Sequence, residues 1–344
     1  MEMKRWLHAF GAAVAILLAA APGRAAGGRA DDSGEGHCSA TAAALRRACG
    51  FEIQDNLAKA GAICINVSDD AERATCLAGA RASRAQGERR CRRQLQGRLD
   101  ACKLLGEERY DPRLDPAAFD DPRHPTNPNP YFPLRVGNRW DYRGAGEANT
   151  VEVLDRTKLI AGITCVVLKD EVLRDGDLSE DTEDWYALAR DGNVWYCGEE
   201  VKDFESFDGD DPRRPELVSI DGSFKAGRNG DKAGIIFQAS PRAGRSYLEE
   251  FSLGNAEDVT DILSTTYTPG ADAELDRFVP QKLARLLCTG NCVVTKNYSL
   301  LEPGAFARKY YARGIGFFLE VKPDTGEALQ LVGCNFDPRC TLLP

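Results

Sequence analysis

One set of intervals constrains the fold more than any other feature. Six cysteines, Cys38, Cys49, Cys64, Cys76, Cys91 and Cys102, are spaced by 11, 15, 12, 15 and 11 residues, which is a mirror and not a repeat. Paired from the outside in, every pair of residue numbers sums to 140. Two antiparallel helices folded about residue 70 place residue n opposite residue 140 − n. The spacing therefore predicts nested bridges Cys38–Cys102, Cys49–Cys91 and Cys64–Cys76 out of the fifteen pairings six cysteines allow. Eleven residues make three helical turns plus about 20°, and fifteen make four turns plus about 60°, so the cysteines stay near one face.

The residues between them agree. Cys38, Ala42, Leu45, Cys49, Ile53, Leu57, Ala60 and Cys64 recur at steps of three and four, the mark of a buried helical stripe. By the mirror, Gly87 faces Ile53, Ser83 faces Leu57 and Ala80 faces Ala60. Large side chains meet small ones, which lets the backbones come within the ~7 Å that a disulfide needs. At the bend, Asp69 followed by Glu72 has the pattern of a capping box. A two-helix hairpin buries little core and this one carries several helix-weakening glycines, so covalent staples are physically needed. The arrangement resembles the twin-cysteine helical hairpins of the CHCH type. Those use different spacings and usually two bridges, so the resemblance extends to geometry alone.

The chain opens with Lys4 and Arg5, an apolar run from Ala9 to Ala21, and small residues Gly23 and Ala25. That reads as a secretory signal peptide over residues 1–25. Thirteen apolar residues fall short of the ~20 of a membrane-spanning helix. No membrane span is expected after cleavage, and an even count of twelve cysteines suits an oxidising compartment, periplasmic or extracellular. The expected divisions are a disordered stretch over 26–37, the helical hairpin over 38–106, a Pro/Asp-rich linker over 107–130 and a β-rich domain over 131–344. The fold class is thus α+β: a disulfide-stapled antiparallel helical hairpin followed by a mainly antiparallel β-sheet or partly closed β-barrel.

Charge divides the same way. Residues 38–106 carry twelve Lys/Arg against seven Asp/Glu, and residues 107–344 carry twenty-eight against forty-two. An acidic main domain argues against nucleic acid as a partner. Arg81, Arg84, Arg89, Arg90, Arg92, Arg93 and Arg98 give the second helix, residues 73–103, a basic outer surface. It is either a solvated face or a dock for an anionic partner, including the chain's own acidic domain.

In the second domain, short apolar and aromatic runs alternate with hairpin signals at Asp175-Gly176, Asp191-Gly192 and Arg313-Gly314. A helix is expected near 273–276 or 281–287. The stretches YFPLRVGNRWDYR (131–143), DWYALARDGNVWYCGEE (184–200), GSFKAGRNGDKAGIIF (222–237) and LEPGAFARKYYARGIGFFLEV (301–321) resemble a group of exported, uncharacterised bacterial β proteins. The resemblance implies a β-rich exported domain over roughly 105–333 and carries no activity with it.

Two-residue turns at 175–176 and 191–192 set registers in which paired residues sum to 351 and 383. Cys165 and Cys197 then both face Tyr186, two strand spacings or about 9.6 Å apart, beyond disulfide reach. They are expected not to bond to each other; Cys197 can instead join a cysteine of the 288–292 or 334–340 loops, which leaves Cys165 free and buried. Cys288–Cys292 and Cys334–Cys340 can close small loops. The same registers put Asp184 opposite Glu199, with Tyr186 and Trp195 on that face, and Val166, Leu168, Trp185, Ala187, Val194 and Tyr196 on the other as core. Asp184, Tyr186, Trp195 and Glu199 are therefore the candidate ligand site, an aromatic-lined concavity with an acidic rim. Alternatively, the carboxylates splay into solvent.

Other chemistry fades on inspection. DGDLSED (175–181) lacks the glycine and terminal glutamate of a calcium loop, and GSFKAGR (222–228) is a poor phosphate loop. Only His37 and His124 remain after cleavage, so histidine-based hydrolysis and zinc chemistry are not expected, and no metal or cofactor is assigned. Three function classes stay open. The first is a non-enzymatic module binding a small amphiphile, a peptide or a protein partner. The second is a hydrolase with Asp184 and Glu199 as acid and base. The third is a surface component with no ligand, which would lack a pocket of ~300 Å³ in the β domain.

Overall fold

The computed structural model describes residues 36–144 and 146–344. The signal-peptide expectation lies outside the described residues, as does most of the 26–37 stretch. Helix α1 spans His37–Ile65 and α2 spans Asp70–Leu105. They are antiparallel, joined by Cys38–Cys102, Cys49–Cys91 and Cys64–Cys76, with Cα–Cα distances of 5.7, 5.9 and 5.6 Å. The mirror holds between the bridges too, because a Cβ added at Gly87 would meet Ile53 at 3.0 Å. Asp69 caps α2 by accepting from the backbone N–H groups of Ala71 and Glu72, each at 2.9 Å.

Sixteen strands follow. A meander is formed by β1 (Arg139–Gly144), β2 (Glu147–Ile160), β3 (Ile163–Arg174), β4 (Asp177–Leu188) and β5 (Val194–Glu200). The short strands β6 (Asp203–Glu205), β7 (Glu216–Ser219) and β8 (Phe224–Lys225) flank it. Then come β9 (Lys232–Phe237), β10 (Ser246–Leu248), β11 (Glu250–Phe251) and β12 (Asp258–Tyr267). After helix α3 (Gln281–Leu287), a second meander runs through β13 (Cys292–Ser299), β14 (Ala307–Ala312), β15 (Gly316–Val321) and β16 (Ala328–Cys334). All pairings are antiparallel, and β16 pairs with β1 to join the two meanders.

The sheet nearly closes into a barrel, and one short segment brings its ends together. β10 pairs with β12 at one end of the strand order, and β11, two residues further on, pairs with β9 at the other. The turn between them, at Glu249, crosses so close to β9 that a Cβ at Gly234 would sit 2.0 Å from the Glu249 carbonyl oxygen. Only glycine fits there.

Two cores result. The barrel interior and the space under α3 hold Trp140, Val153, Val166, Leu168, Tyr186, Tyr196, Phe237, Leu283 and Phe318. A second, smaller core lies on the outer face of β3, β4 and β5, around Cys165, Val167, Trp185, Ala187 and Cys197. The proline-rich stretch covers it: Phe119 is buried there, bridges to Ala189 and packs edge-on against Trp195.

Two expectations are corrected. The structure joins Cys165 to Cys197, with Cα atoms 7.0 Å apart, and no described cysteine is free. The assumed registers failed because each hairpin contains a bulge. Near Ser179, the β3–β4 pairing slips so that Val166, and not Cys165, faces Tyr186. At Cys197, the β4–β5 pairing passes from Trp185↔Gly198 to Tyr186↔Tyr196. An extra residue turns every side chain beyond it to the opposite face. Cys165 and Cys197 therefore share the outer face, across the small Ala187. Cys288–Cys292 and Cys334–Cys340 are also bonded. Of the two readings of the α2 arginines, Arg98 follows the second: it is buried against the barrel and paired with Glu257 of the acidic domain.

Candidate functional site

Because of the bulge at Cys197, Asp184, Tyr186 and Glu199 point into the barrel, while Trp195 points out into the second core. Tyr196, expected among core residues on the opposite face, takes its place. Its ring stacks on Tyr186 with centroids 4.8 Å apart, and its hydroxyl donates to the Asp184 carboxylate in a short hydrogen bond. The pairing Asp184↔Glu199 is present as expected. Both carboxyl groups are covered, not splayed into bulk water. Gly198 makes the bulge possible. Its φ is +130°, and a Cβ there would lie 2.2 Å from the Phe224 carbonyl oxygen.

Other strands add polar groups to the same interior. Asp170 on β3 accepts from the Asn149 amide at 2.6 Å. On the far wall, the Asn297 amide donates to Glu249 at 2.6 Å and to Thr260 at 2.8 Å, and Thr295 donates to Asn297 at 2.6 Å. Lys309 on β14 projects among them, paired in register with Thr295. The interior thus brings the carboxyls of Asp170, Asp184, Glu199, Glu249, Glu250 and Asp258 around one lysine.

Burial disfavours charge on each carboxyl. Burial, with the charge of Glu180 adding to it, lifts Asp184 to about 6 against the opposing hydrogen bond from Tyr196. Burial and the neighbouring Asp184 raise both Asp170 and Glu199. Burial likewise raises Glu249, Glu250 and Asp258. Lys309 is the reverse case. Burial alone would lower its ammonium, but Glu249, Tyr311, Glu320 and Asp258 outweigh it and hold the group charged.

A cavity of about 260 Å³ opens between these groups and the wall formed by β1, β2, β15 and β16. Trp140, Tyr142, Tyr186, Tyr311 and Phe317 line it, along with Asp170, Asp184, Lys309 and Glu320. Glu199 and Trp195 are not among its lining residues. The cavity is slightly below the ~300 Å³ expected for a typical small-molecule pocket. Two larger depressions in the β domain, of about 370 and 410 Å³, are polar and near the surface, around Arg139, Asp141 and Glu171 and around Asp191, Arg242 and Arg245. A cleft of about 710 Å³ lies where the hairpin meets the barrel. Ala40, Ala44, Leu45, Ala101 and Phe251 form much of its wall, and two of its ion pairs, Arg98–Glu257 and Lys232–Asp111, are already closed. The one grouping with metal-like geometry among the described residues is Cys38, Cys102 and Glu107, and its two sulfurs are bonded to each other.

Alternation in the sequence could have revealed part of this site. Asp170 lies at an even step from Val166 and Leu168, so it is an acid at a core-facing position. Gly198 within an aromatic strand is the usual sign of a bulge. Lys309, Glu249 and Asp258 gave no such signal, since they meet the others only through barrel closure.

No protein-family model matches the chain, and no curated protein matches it. A crystal structure described as a "putative lipoprotein" from Parabacteroides distasonis ATCC 8503 is similar at 11% identity, covering 61% of this chain and all of that one, with a TM-score of 0.30. At that TM-score the likeness bears on neither function nor partner. The fold is therefore defined by its own geometry: a stapled helical hairpin on a nearly closed antiparallel barrel.

Proposed function

We propose that this is an exported, non-enzymatic binding protein whose barrel interior holds a small amphiphile. Six disulfides among the described residues fit an oxidising compartment. No described helix is long and apolar enough to cross a membrane. The observation that carries the reading is the interior cavity, where an aromatic wall faces buried carboxyls and a buried ammonium. Apolar lining with a few convergent polar groups of shifted pKa is the usual composition of a binding site. The hairpin then serves as a rigid arm, and the exposed Arg81, Arg89, Arg92 and Arg93 of α2 are available to an anionic partner. Native mass spectrometry of protein taken from its own host tests the reading. A small molecule should be retained, and should be lost when the cavity is filled by Leu329→Trp. Protein that is always empty, and whose melting temperature no small amphiphile moves, refutes it.

One observation favours a second reading. Asp184 is buried and Glu199 half-buried, they face each other across β4 and β5, and both are raised, which keeps a proton near the pair for acid–base work. It stands second because only Asp184 lines the cavity, so a substrate there does not meet Glu199. Turnover of chromogenic glycosides or esters that disappears in both Asp184→Asn and Glu199→Gln would promote it.

A further inference from the structure

We propose that the interior cavity selects a small primary amine in its ammonium form, an inference that rests on the binding reading above. The carboxylates alone would not define such a site. The argument comes from what they face.

Asp170 on β3 and Asp184 on β4 line one side of the cavity, and Trp140, Tyr142, Tyr186 and Tyr311 line the rest. An aromatic face attracts a cation through its quadrupole, by ~0.5–1 kcal/mol when exposed and ~2 or more when dry. Neutral or anionic ligands gain nothing from this. Each of these carboxyls also has few donors. Asp170 accepts from Asn149, and Asp184 accepts from Tyr196 and Tyr186. Each therefore has accepting capacity left for an N–H donor. Two like charges this close are unfavourable unless one is protonated or a cation lies between them.

Lys309 fills this role only weakly. It acts on Asp170 and Asp184 from the same cavity, but less than their burial and neighbouring carboxyls do, and its own charge answers first to Glu249, Tyr311, Glu320 and Asp258. Burial holds Asp170 toward its protonated form, and an ammonium beside it favours the carboxylate again, so that Asp170, Asp184 and Glu320 stand against Lys309 once the ligand is bound. An ammonium between Asp170 and Asp184, with its alkyl chain toward Phe317 and Leu329, would satisfy both the polar and the apolar parts of the wall. The cavity volume suits a compact chain of about six carbons and not a lipid.

The test is calorimetric titration of the full-length mature protein with hexylammonium, hexanol and hexanoate at pH 7.5. Hexylammonium should bind at least ~10-fold tighter than the other two. Asp170→Asn, which can keep its contact with Asn149, should weaken hexylammonium ~10-fold and leave hexanol unchanged, with an unaltered circular dichroism spectrum. Ala44→Leu, in the hairpin–barrel cleft, should change nothing. Equal or tighter binding of hexanol or hexanoate overturns the choice of ligand but keeps the binding reading. Loss of hexylammonium binding in Ala44→Leu moves the site to the cleft and overturns the inference. If none of the three binds, the inference falls, and the interior as a binding site falls with it.

Discussion

Arg98 of α2 donates two hydrogen bonds to Glu257 on the barrel, Nε to Oε2 at 2.7 Å and an Nη to Oε1 at 2.9 Å, with both side chains less than a tenth exposed. This fork joins the stapled arm to the sheet. Around it, the Gln94 amide donates to the Leu301 carbonyl at 2.8 Å, and Gly97 lets Pro303 approach so closely that a Cβ would meet it at 3.0 Å. Glu257 also accepts from the Gly254 N–H at 2.5 Å. Beside the pair, Ala101 and Leu105 of α2 pack against Leu248, Val259 and Leu300 of the barrel.

Breaking the pair from one side should be expensive, because an unpaired buried charge remains. Arg98→Ala is expected to cost about 3–5 kcal/mol, read as a fall in urea midpoint or as loss of hydrogen-exchange protection near Glu257 and Leu300. Replacing both partners, as in Arg98→Met with Glu257→Leu, should recover most of that loss. If Arg98→Ala left stability unchanged, the pair would not be holding the arm.

The acidic interior fixes a pH dependence of definite sign. Asp170, Asp184, Glu199, Glu249, Glu250 and Asp258 have raised values in the folded state, opposed by Lys309 alone among nearby cations and adjoined by Tyr186 and Tyr196. The folded protein therefore keeps protons that the unfolded chain has released. Stability should decline as pH rises from ~4 through 6 and stay lower above it, by an amount on the order of a few kcal/mol. Asp337, held low by its hydrogen bond from Arg339, contributes in the opposite sense and sets a limit on the acid side. Melting temperature should be higher at pH 5 than at pH 8, and Asp184→Asn should flatten the difference. A melting temperature that climbs steadily from 5 to 8 contradicts the burial of these groups.

Barrel closure should be intolerant at Gly234. An alanine Cβ would lie 2.0 Å from the Glu249 carbonyl oxygen, and that atom is backbone in the closing segment, with no freedom to rotate away. Gly234→Ala should cost upwards of about 3 kcal/mol by chemical denaturation, among the severe single substitutions. Gly230→Ala, in open space at the neighbouring turn but at φ +94°, should cost less, about 1 kcal/mol.

Peptide mapping without reduction should recover six bridges, including Cys165–Cys197. Removing the middle staple with Cys49→Ala and Cys91→Ala should destabilise the arm by about 2–4 kcal/mol, through freedom returned to the unfolded chain and the loss of packing around Ile53. A Cys165 that alkylates readily in the folded protein would disprove its bridge to Cys197.

The hairpin was legible in the sequence because its information is local and symmetric. A helix repeats every 3.6 residues whatever surrounds it, so an interval of eleven or fifteen specifies a face, and mirrored intervals specify an antiparallel partner. The same holds for the strand runs and for the turn at Asp175-Gly176, which closes on Arg174 and Asp177. The interior site was not legible, because a strand's two faces alternate with a period of two and a single unseen bulge exchanges them. Ser179 and Cys197 did that, replacing Trp195 with Tyr196 beside Asp184 and moving Cys165 and Cys197 together from the Tyr186 face to the outer one. Glu249, Asp258 and Lys309 joined Asp184 only when the segment around Glu249 brought the sheet's ends together. The chain's sequence therefore determined its elements and the three staples of the hairpin, and the bulges and tertiary closure decided the Cys165–Cys197 bridge and which charged side chains share the barrel interior.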